Sequence, residues 1–340
     1  MKVQRVDKIH SPDLEPQLSF SGLDSWSDFV NEVYDYKVHR MTVTEDSQTL
    51  SALTLVEVKH PVFGHYLVTS PFGSYGGFAY KNSAARDLLL DEARRLAEET
   101  KVEYAAIRFD EGESTPPENW VQHPAYYTYL LDLPATSDEM MKRFSSDHRN
   151  HVRKSLKKGF SVRYGHLDIL DDIYEALARS MHELGSPYHT KDYLKSMAQH
   201  LGDTLEFAVL YDPQGKIAGG GVFIYQGDTM FNLHANILRY VRSNYAGEFL
   251  YWSVIERGIQ KGLKTFDLGR SLVGSGNEIF KMKWAPRKKL LAYWHWLAPG
   301  HPLPVLNQKN PKFQIAIAVW KRTPAFLVRM MGPHLVRGLA

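Results

Sequence analysis

The stretch Phe266-Asp267-Leu268-Gly269-Arg270-Ser271-Leu272-Val273-Gly274-Ser275-Gly276-Asn277-Glu278-Ile279-Phe280-Lys281-Met282-Lys283-Trp284 joins a short strand to a loop rich in glycine and cations. The strand ends at Leu268, and glycine recurs at positions 269, 274 and 276. Glycine permits positive φ and lets a ligand approach bare backbone. Such a loop can bind a phosphate or an oxyanion, with Arg270, Lys281 and Lys283 adding positive charge. The alternative is a surface hairpin with solvated lysines, and these residues alone do not decide between the two.

The segments on either side of this stretch alternate between helical and strand patterns. Periodic apolar residues predict helices over residues 169–184, 190–201 and 245–261. Alternating apolar and polar residues predict strands over residues 205–211, 217–225, 229–236, 265–268 and 290–297. The first three of these strands are separated by Asp212-Pro213-Gln214-Gly215 and Gln226-Gly227-Asp228, which are turn sequences, so they form an antiparallel meander.

The first half of the chain contains a less regular version of the same order. Strands are predicted over residues 41–44, 50–58, 65–69, 104–109 and 126–133, with a helix over residues 83–100. A single long helix is predicted over residues 136–158, ended by Gly159. We therefore expect an α/β protein with mixed sheets in two tandem domains, residues 1–135 and 136–310, followed by a helical tail over residues 311–340.

Composition limits the classes of protein that fit. The 340 residues are 44% hydrophobic and 23% charged, which is normal for a chain that buries a sizeable core. The net charge of +3 is too small for a polycation, and we expect no DNA partner. The absence of cysteine excludes disulfides, thiolate metal sites and a cysteine nucleophile.

The two ends of the chain bear on localisation. The N-terminus lacks the apolar core of a signal peptide, and no stretch approaches the roughly 20 apolar residues that span a bilayer. We therefore expect a cytoplasmic protein. The tail from Pro311 to Leu339 predicts short amphipathic helices with Arg322, Arg329 and Arg337, which can lie on the inner face of the membrane or pack against the body.

Five collinear segments resemble the FemAB-like branch of the GNAT acyltransferase superfamily, and most closely the FemAB-related proteins of exosortase and exopolysaccharide systems. The predicted order of elements is also that of a GNAT domain, repeated. The segments that carry the resemblance are Ser70–Gly77, Arg149–Gly159, Leu184–Pro187, Phe266–Trp284 and the tail from Trp320-Lys321-Arg322-Thr323-Pro324 to Gly332-Pro333.

The resemblance implies transfer of an aminoacyl or acyl group onto an amine. By position in the family's Phe-Lys element, Lys281 is expected to steady the donor or the developing oxyanion, with Arg270 beside it. Two sets of binding residues are also expected. Donor-binding residues are expected at Gly274, Ser275, Gly276, Lys283 and Asn232, and acceptor-binding residues at Tyr193, His189 and Tyr75.

Two departures from the family pattern concern the acceptor. Peptidoglycan ligases often carry an aspartate after the first-domain loop, where this chain reads Gly76-Gly77-Phe78-Ala79-Tyr80-Lys81. They also carry an arginine where this chain has His189, four residues before Tyr193. Neutral histidine binds a diphosphate more weakly than a bidentate arginine. We therefore expect an acceptor other than the muramyl precursor.

One helix concentrates positive charge. Arg149, Arg153 and Lys157 are spaced four apart and form a stripe that can contact tRNA phosphates, the alternative being a solvated face. An acyl-CoA enzyme of this superfamily normally has a glycine-rich loop before the helix at 245–261, and residues 238–247 do not fit it. Charged tRNA is therefore the expected donor and acyl-CoA the less favoured one, with no permanently bound cofactor.

Histidine offers two further possibilities. Asn232 and His234 alternate on a predicted strand and are expected to face one side, where His234 acts as a general base if its pKa lies near 7. A core histidine without such a role is the alternative. The 15 histidines show no HExxH and no metal-ligand spacing, so no metal site is predicted.

These observations predict an N-acyltransferase that acts on an amine-bearing component or precursor of the cell envelope or of an exopolysaccharide. One alternative is an acetyl-CoA-dependent GNAT N-acetyltransferase. The other is a non-catalytic module that binds tRNA or a glycan.

Overall fold

The computed structural model describes residues 1–109, 115–123, 126–304 and 311–340, the side chains of 311–313 excepted. The strands are β1 (Lys2–Val6), β2 (Lys37–Glu45), β3 (Gln48–His60), β4 (Gly64–Val68), β5 (Phe78–Tyr80), β6 (Tyr104–Phe109), β7 (Val121–Gln122), β8 (Tyr126–Asp132), β9 (Ser161–Gly165), β10 (Leu205–Tyr211), β11 (Ile217–Gln226), β12 (Thr229–Ile237), β13 (Thr265–Ser271) and β14 (Arg287–Leu297). The helices are α1 (Asp24–Tyr34), α2 (Ser83–Thr100), α3 (Ser137–Arg143), α4 (Ser146–Leu156), α5 (Leu170–Leu184), α6 (Lys191–Leu201), α7 (Ala246–Gln260), α8 (Gly276–Met282), α9 (Pro311–Arg322) and α10 (Ala325–Val336).

The chain forms two compact units. Unit 1 comprises residues 1–126, 290–306 and 337–340, and unit 2 comprises residues 127–289 and 307–336. The predicted boundaries, 1–135, 136–310 and 311–340, divide the chain into consecutive segments. They place residues 290–306 in the second domain and residues 337–340 in the tail, whereas both stretches belong to unit 1.

In unit 1 the antiparallel strands β1, β2, β3 and β4 lead to a parallel pair between β4 and β6. Helix α2 connects that pair, and the side chain of Asn82 caps it by accepting a hydrogen bond from the N–H of Ala85. The predicted apolar face of α2 is the buried one, with Leu89, Ala93 and Leu96 in the core. Strand β14 completes this sheet by pairing with β6.

Unit 2 repeats that plan. The antiparallel strands β9, β10, β11 and β12 lead to a parallel pair between β12 and β13, which helix α7 connects. Strand β8 completes the sheet by pairing with β13. The core contains apolar side chains from the strands and from α7, including Phe223, Phe266, Leu250 and Trp284. The predicted α/β fold of two tandem units is therefore observed.

The last strand of each sheet comes from the other half of the sequence. Strand β14 follows β13 along the chain but pairs with β6, and β8 follows the strands of unit 1 but pairs with β13. The sequence pattern of residues 290–297 fits a strand, but it assigns that strand to the second domain. Alternation specifies which side chains share a face of a strand and carries no information about the pairing partner.

The predicted helix over residues 136–158 is wrong, because two helices occupy this region. Phe144 is extended (φ −79°, ψ 154°) and its side chain is buried. Ser145 then caps α4 by accepting a hydrogen bond from the N–H of His148 at 3.2 Å. Burial of Phe144 therefore outweighs the continuous helical pattern. The structure also contains β1, α1, β9 and α8, which the sequence patterns did not predict.

Candidate functional site

Strands β12 and β13 separate early and leave an opening in the sheet of unit 2. Their parallel pairing covers Thr229–Phe231 against Thr265–Asp267 and then stops, although β12 continues to Ile237. Strand β13 changes register against β8 between Asp267 and Arg270, which is the mark of a β-bulge. A cavity of about 550 Å³ borders the end of β12, the first turn of α7 and helix α8; we call it the splayed-strand cavity.

The polar side chains of this cavity carry both signs of charge. Its lining includes Asn236, Arg242, Glu248, Tyr251, Phe280 and Lys283. The Nε of Arg242 donates to the carbonyl of Ile237 at 3.0 Å, so the guanidinium lies between β12 and α7. The Nζ of Lys283 lies 3.6 Å from Oε1 of Glu248, a carboxylate in the first turn of α7 where the helix dipole stabilises negative charge.

Lys281 lies on the other side of α8, inside the fold. It is 4% exposed, and its Nζ donates to the carbonyls of Gly269 and Arg270 at 2.8 and 3.0 Å. Burial lowers the pKa of Lys281 to about 8, although the buried Asp267 carboxylate opposes this change. Arg270 itself is exposed. Lys281 and Arg270, which were both predicted to be catalytic, are therefore neighbours, and Lys281 binds the backbone of the β13 bulge.

Two carboxylates complete this buried network. Asp267 accepts hydrogen bonds from Thr128 and from the N–H of Gly269, which adopts a positive φ of 77°. Glu278 accepts hydrogen bonds from Tyr129, Lys288 and the N–H of Gly274. These bonds, led by that from Lys288, hold the pKa of Glu278 at about 2. We call Glu278 and Lys281 the inner face of α8. We call Phe280 and Lys283, the residue that caps the C-terminus of α8, the cavity face.

The predicted donor loop builds the start of α8. The Oγ of Ser275 accepts a hydrogen bond from the N–H of Glu278 at 3.2 Å and caps the helix. Gly274 has a positive φ of 76°, and an added side chain at Gly274 or Gly276 would meet open space. The glycine-rich stretch is thus a strand, a bulge and a capped helical turn, rather than the surface hairpin that was the alternative.

Asn232 and His234 contact different elements. The Nδ2 of Asn232 donates to the hydroxyl of Tyr251, a residue of the cavity wall, at 3.0 Å. The ring of His234 lies near Tyr188 and His189, with centroids 5.9 and 6.2 Å away. The expectation that the two residues face one side is therefore wrong, because a register shift against β11 interrupts the alternation of β12 between them.

A general base at His234 requires a pKa near 7, and burial lowers its pKa to about 4. The ring is therefore neutral at pH 7 but accepts a proton weakly. Its Nε2 has no hydrogen-bond partner among the described residues. The catalytic role of His234 stays a prediction.

The predicted acceptor residues belong to two different units. His189 stacks on Tyr193 with ring centroids 3.6 Å apart, and both side chains are buried in unit 2. Burial also holds the pKa of His189 well below its ordinary value, so this ring carries no positive charge for a phosphate at pH 7. Tyr75 lies in unit 1, where its carbonyl accepts a hydrogen bond from Ser21 at 2.8 Å.

The three residues of the predicted basic stripe differ in their contacts. The Nη1 of Arg149 donates to the carbonyl of Phe144 at 2.5 Å and so supports the junction between α3 and α4. Arg153 and Lys157 are exposed, and Lys157 is the residue that ends α4. Only these two of the three remain fully available to a phosphate backbone.

Sequence reasoning missed the carboxylates and aromatic residues of the site. It selected glycines and cations from the quoted stretch and passed over Asp267 and Glu278 within it. Tyr251 and Glu248 come from α7, a region for which the pattern predicted a helix and no functional residue. The sequence did contain one indication of Glu248: it follows Gly247 directly, in the first turn of the helix predicted over residues 245–261.

Comparison with known proteins agrees with this architecture. Residues 145–282 match the family model described as an acetyltransferase (GNAT) domain. The chain is similar to the crystal structure of FemX, with 14% identity, coverage of 93% of this chain and 100% of that chain, and a TM-score of 0.65. No curated protein matches the chain.

Two further solved structures are similar. One is the C-terminal domain of a putative lysylphosphatidylglycerol synthetase from Agrobacterium fabrum (12% identity, 87% of this chain and 93% of that chain, TM-score 0.54). The other is a tandem GNAT protein from the clavulanic acid biosynthesis pathway (13% identity, 89% of this chain and 100% of that chain, TM-score 0.52). At these identities the likeness is one of fold, and it confirms the predicted FemAB-like, tandem-GNAT architecture. The chain is an acyltransferase, and its residues 145–282 match the GNAT domain model.

Proposed function

We propose that unit 2 transfers an aminoacyl or acyl group onto an amine of a cell-envelope or exopolysaccharide component. The observation that carries this proposal is the early separation of β12 and β13 beside the splayed-strand cavity. Beyond Phe231, β12 no longer pairs with β13, so that a bound donor can approach the backbone of β12 there, and α7 begins at the same place. The GNAT domain match covers these elements.

The reaction forms one C–N bond and breaks one C–O or C–S bond. The acceptor nitrogen attacks the acyl carbon, the amine proton passes to water, and the donor leaves as a hydroxyl or thiol after taking up a proton. Negative charge develops on the acyl oxygen, where fixed positive charge is most effective. An ammonium has three N–H groups, and two of those of Lys281 bind the bulge carbonyls, which leaves one for the oxyanion.

The donor that we propose is an aminoacyl-tRNA. The segment before α7 is a 3-10 turn over Arg239–Asn244 followed by Tyr245 in a left-handed conformation (φ 61°). It lacks the bare glycine backbone that would cradle the pyrophosphate of CoA. The exposed cations Arg153 and Lys157 offer contacts for a longer phosphate backbone instead.

Two other functions have support of their own. An acetyl-CoA-dependent N-acetyltransferase is supported by the match of residues 145–282 to an acetyltransferase (GNAT) domain and by the similarity to a tandem GNAT protein. A non-catalytic module that binds tRNA or a glycan is supported by the absence of a carboxylate in the stretch Gly76-Gly77-Phe78-Ala79-Tyr80-Lys81, where peptidoglycan ligases often carry an aspartate.

A donor screen separates the three functions. The chain is incubated with charged tRNA or with acetyl-CoA and a panel of amine-bearing envelope and polysaccharide precursors, and products are identified by mass spectrometry. Acylated product with charged tRNA alone supports the proposal. Product with acetyl-CoA alone assigns the second function, and tRNA or glycan binding without any product assigns the third.

A matched pair of variants tests the tRNA contact. Arg153→Ala/Lys157→Ala is expected to weaken tRNA binding and to reduce the slope of log affinity against log salt by about 2. Lys37→Ala/Lys101→Ala removes two exposed cations of unit 1 and serves as the control. Equal slopes in the two variants would argue against a tRNA path along α4.

We also propose that the protein is cytoplasmic and that α9 and α10 bind an anionic membrane surface. Four side chains of these helices, Ile315, Val319, Phe326 and Met330, are each exposed over at least 60% of their surface. They are spaced four apart on each helix, and neither helix contains an acidic residue. Among the described residues, no helix is long and apolar enough to cross a bilayer. An apolar stripe with basic flanks supports binding in the plane of the interface.

Vesicle flotation tests this surface. We expect binding to vesicles that contain phosphatidylglycerol, loss of that binding in Val319→Ser/Phe326→Ser, and no loss in Val62→Ser, an equally exposed valine of unit 1. Binding that is equal for neutral and anionic vesicles would contradict the role of the basic residues. Unchanged binding in the double variant would contradict the role of the stripe.

A further inference from the structure

Three side chains from two helices of unit 2 lie close enough together to share one metal ion. His148 and His151 lie one turn apart on α4, and Glu248 lies in the first turn of α7. Each offers one ligand atom, and these atoms lie within 4.8 Å of one another. No metal site was predicted because the 15 histidines show no HExxH and no metal-ligand spacing, and Glu248 lies far from this pair in the chain. Packing of α4 against α7 supplies this third ligand.

The histidines of this group carry buried nitrogen atoms without partners. His148 is 1% exposed, and neither of its ring nitrogens has a hydrogen-bond partner within the described part of the chain. The Nδ1 of His151 is also buried and has no hydrogen-bond partner among the described residues. A buried polar atom without a partner is costly, and buried polar groups in native proteins are nearly always satisfied. Coordination of an ion would satisfy one nitrogen of each ring at once.

Each of the two rings has one close neighbour. Trp284 packs edge-on against His148, with ring centroids 4.4 Å apart and planes at 87°. Asp147 lies 3.5 Å from Nε2 of His151, the nitrogen remote from the buried Nδ1. A carboxylate beside the second nitrogen is the usual companion of a metal-bound histidine.

The side chain of Lys283 lies beside the group. The Nζ of Lys283 is 3.6 Å from Glu248, and its side chain is 38% exposed. Without an ion, Lys283 is the counter-charge of this buried carboxylate. Because the lysine side chain reaches solvent, it can leave when a divalent ion takes its place.

We propose that His148, His151 and Glu248 bind a divalent ion of the zinc class. Two imidazole nitrogens and one carboxylate oxygen suit Zn²⁺ or Co²⁺ rather than Ca²⁺ or Mg²⁺, which prefer oxygen ligands. The ion ties α4 to the first turn of α7 and fixes Glu248 at the edge of the splayed-strand cavity. This site does not depend on which acyl donor the protein uses.

Calorimetric titration of the untagged chain with zinc chloride tests the site. We expect one ion per chain, and at least about tenfold weaker binding in Glu248→Gln and in His151→Ala. His10→Ala removes an exposed histidine of unit 1 and is expected to bind zinc as the wild type does. Circular dichroism verifies that each variant is folded. Cobalt chloride added to the wild type is expected to give the visible absorption bands of a low-symmetry nitrogen and oxygen site, and Glu248→Gln is expected to lose them.

A second variant tests the competition at Glu248. Lys283→Met removes the competing cation, and we expect zinc to bind about tenfold more tightly to it than to the wild type. The proposal fails if the wild type binds no zinc, or if Glu248→Gln and His151→Ala bind it as the wild type does. It also fails if Lys283→Met binds zinc no more tightly, since Lys283 and the ion would then not share the carboxylate.

Discussion

The two faces of helix α8 use the same residue type for opposite purposes. On the inner face, Lys281 is buried and donates to two backbone carbonyls of the β13 bulge. On the cavity face, Lys283 is partly exposed and lies beside Glu248 at the edge of the splayed-strand cavity. The two lysines are only two residues apart in the chain.

The difference shows what a motif of glycines and lysines encodes here. The inner face supports the shape of the strand that opens the cavity, so that changes there affect the fold and the reaction together. The cavity face meets solvent and any ligand, so that changes there affect binding alone. The following experiments separate the two faces.

The largest effect is expected from Lys281→Met. Removal of the ammonium leaves the carbonyls of Gly269 and Arg270 without their donor and weakens charge stabilisation at the site. We expect the transfer rate to fall by about 10²-fold or more. The free energy of unfolding is expected to fall by about 2–4 kcal/mol. Denaturant unfolding and single-turnover assays, the latter below the unfolding transition, measure the two losses.

Met282→Ala is the control for this change, because it removes an exposed side chain of the same helix. We expect it to alter neither quantity strongly. A folded Lys281→Met protein with wild-type turnover would remove Lys281 from the mechanism and leave it a structural residue.

The pH dependence of Lys281 is expected to have opposite signs for activity and stability. Its pKa is lowered from the ordinary 10.5 to about 8. The catalytic ammonium is therefore lost as pH rises through about 8, and the rate falls about tenfold per pH unit above that. Between about pH 8 and 10.5 the unfolded chain binds more protons than the folded one, so the free energy of unfolding rises with pH.

Lys281→Arg sharpens this test because arginine keeps its charge over the whole range. If the rate falls above pH 8 in the wild type and stays level in the arginine variant, the fall in rate is due to deprotonation of Lys281. The same fall in both proteins would assign it to another group.

On the cavity face, Lys283→Ala is expected to raise KM for the donor by roughly tenfold while kcat and the midpoint of thermal unfolding change little. The side chain is partly exposed, and its pair with Glu248 contributes little to folding. Steady-state kinetics and a thermal scan test this. A fall in kcat with unchanged KM would place Lys283 with the inner face and break the comparison.

The fold was largely predictable from local patterns, whereas the pairing of strands was not. Helix α2 and strands β6 and β10 begin and end where the patterns predict; the start of α2 is marked by its cap Asn82, and the end of β10 by the turn at Asp212-Pro213-Gln214-Gly215. The break at Phe144 and the placement of β14 in unit 1 depend on contacts with residues far away in the chain. Such contacts leave no local periodicity to read.

The site was predictable in position and less so in detail. The stretch from Phe266 to Trp284 does contain the bulge and helix that border the cavity. The patterns did not separate Lys281 from Lys283, because burial is a property of the packed helix. Glu278 was passed over since a lone carboxylate among glycines has no distinctive spacing, and its partners Tyr129 and Lys288 lie outside the stretch.

The smallest effect is expected from Glu278→Gln, and it concerns stability in acid. The pKa of Glu278 is lowered from the ordinary 4.5 to about 2, chiefly by the hydrogen bond from Lys288. A lowered carboxyl pKa contributes stability that is complete above about pH 4.5 and is lost as the pH falls toward 2. The variant is therefore expected to be less stable than the wild type at pH 7, and the difference is expected to shrink steadily below pH 4.5. Urea unfolding of both proteins at pH 7, 4 and 2.5 measures this, with Glu118→Gln as an exposed control. A difference that stays constant over this range would mean that Glu278 acts by shape alone, and the inner face of α8 would then be held by Lys281 and its carbonyl partners without the help of charge at Glu278.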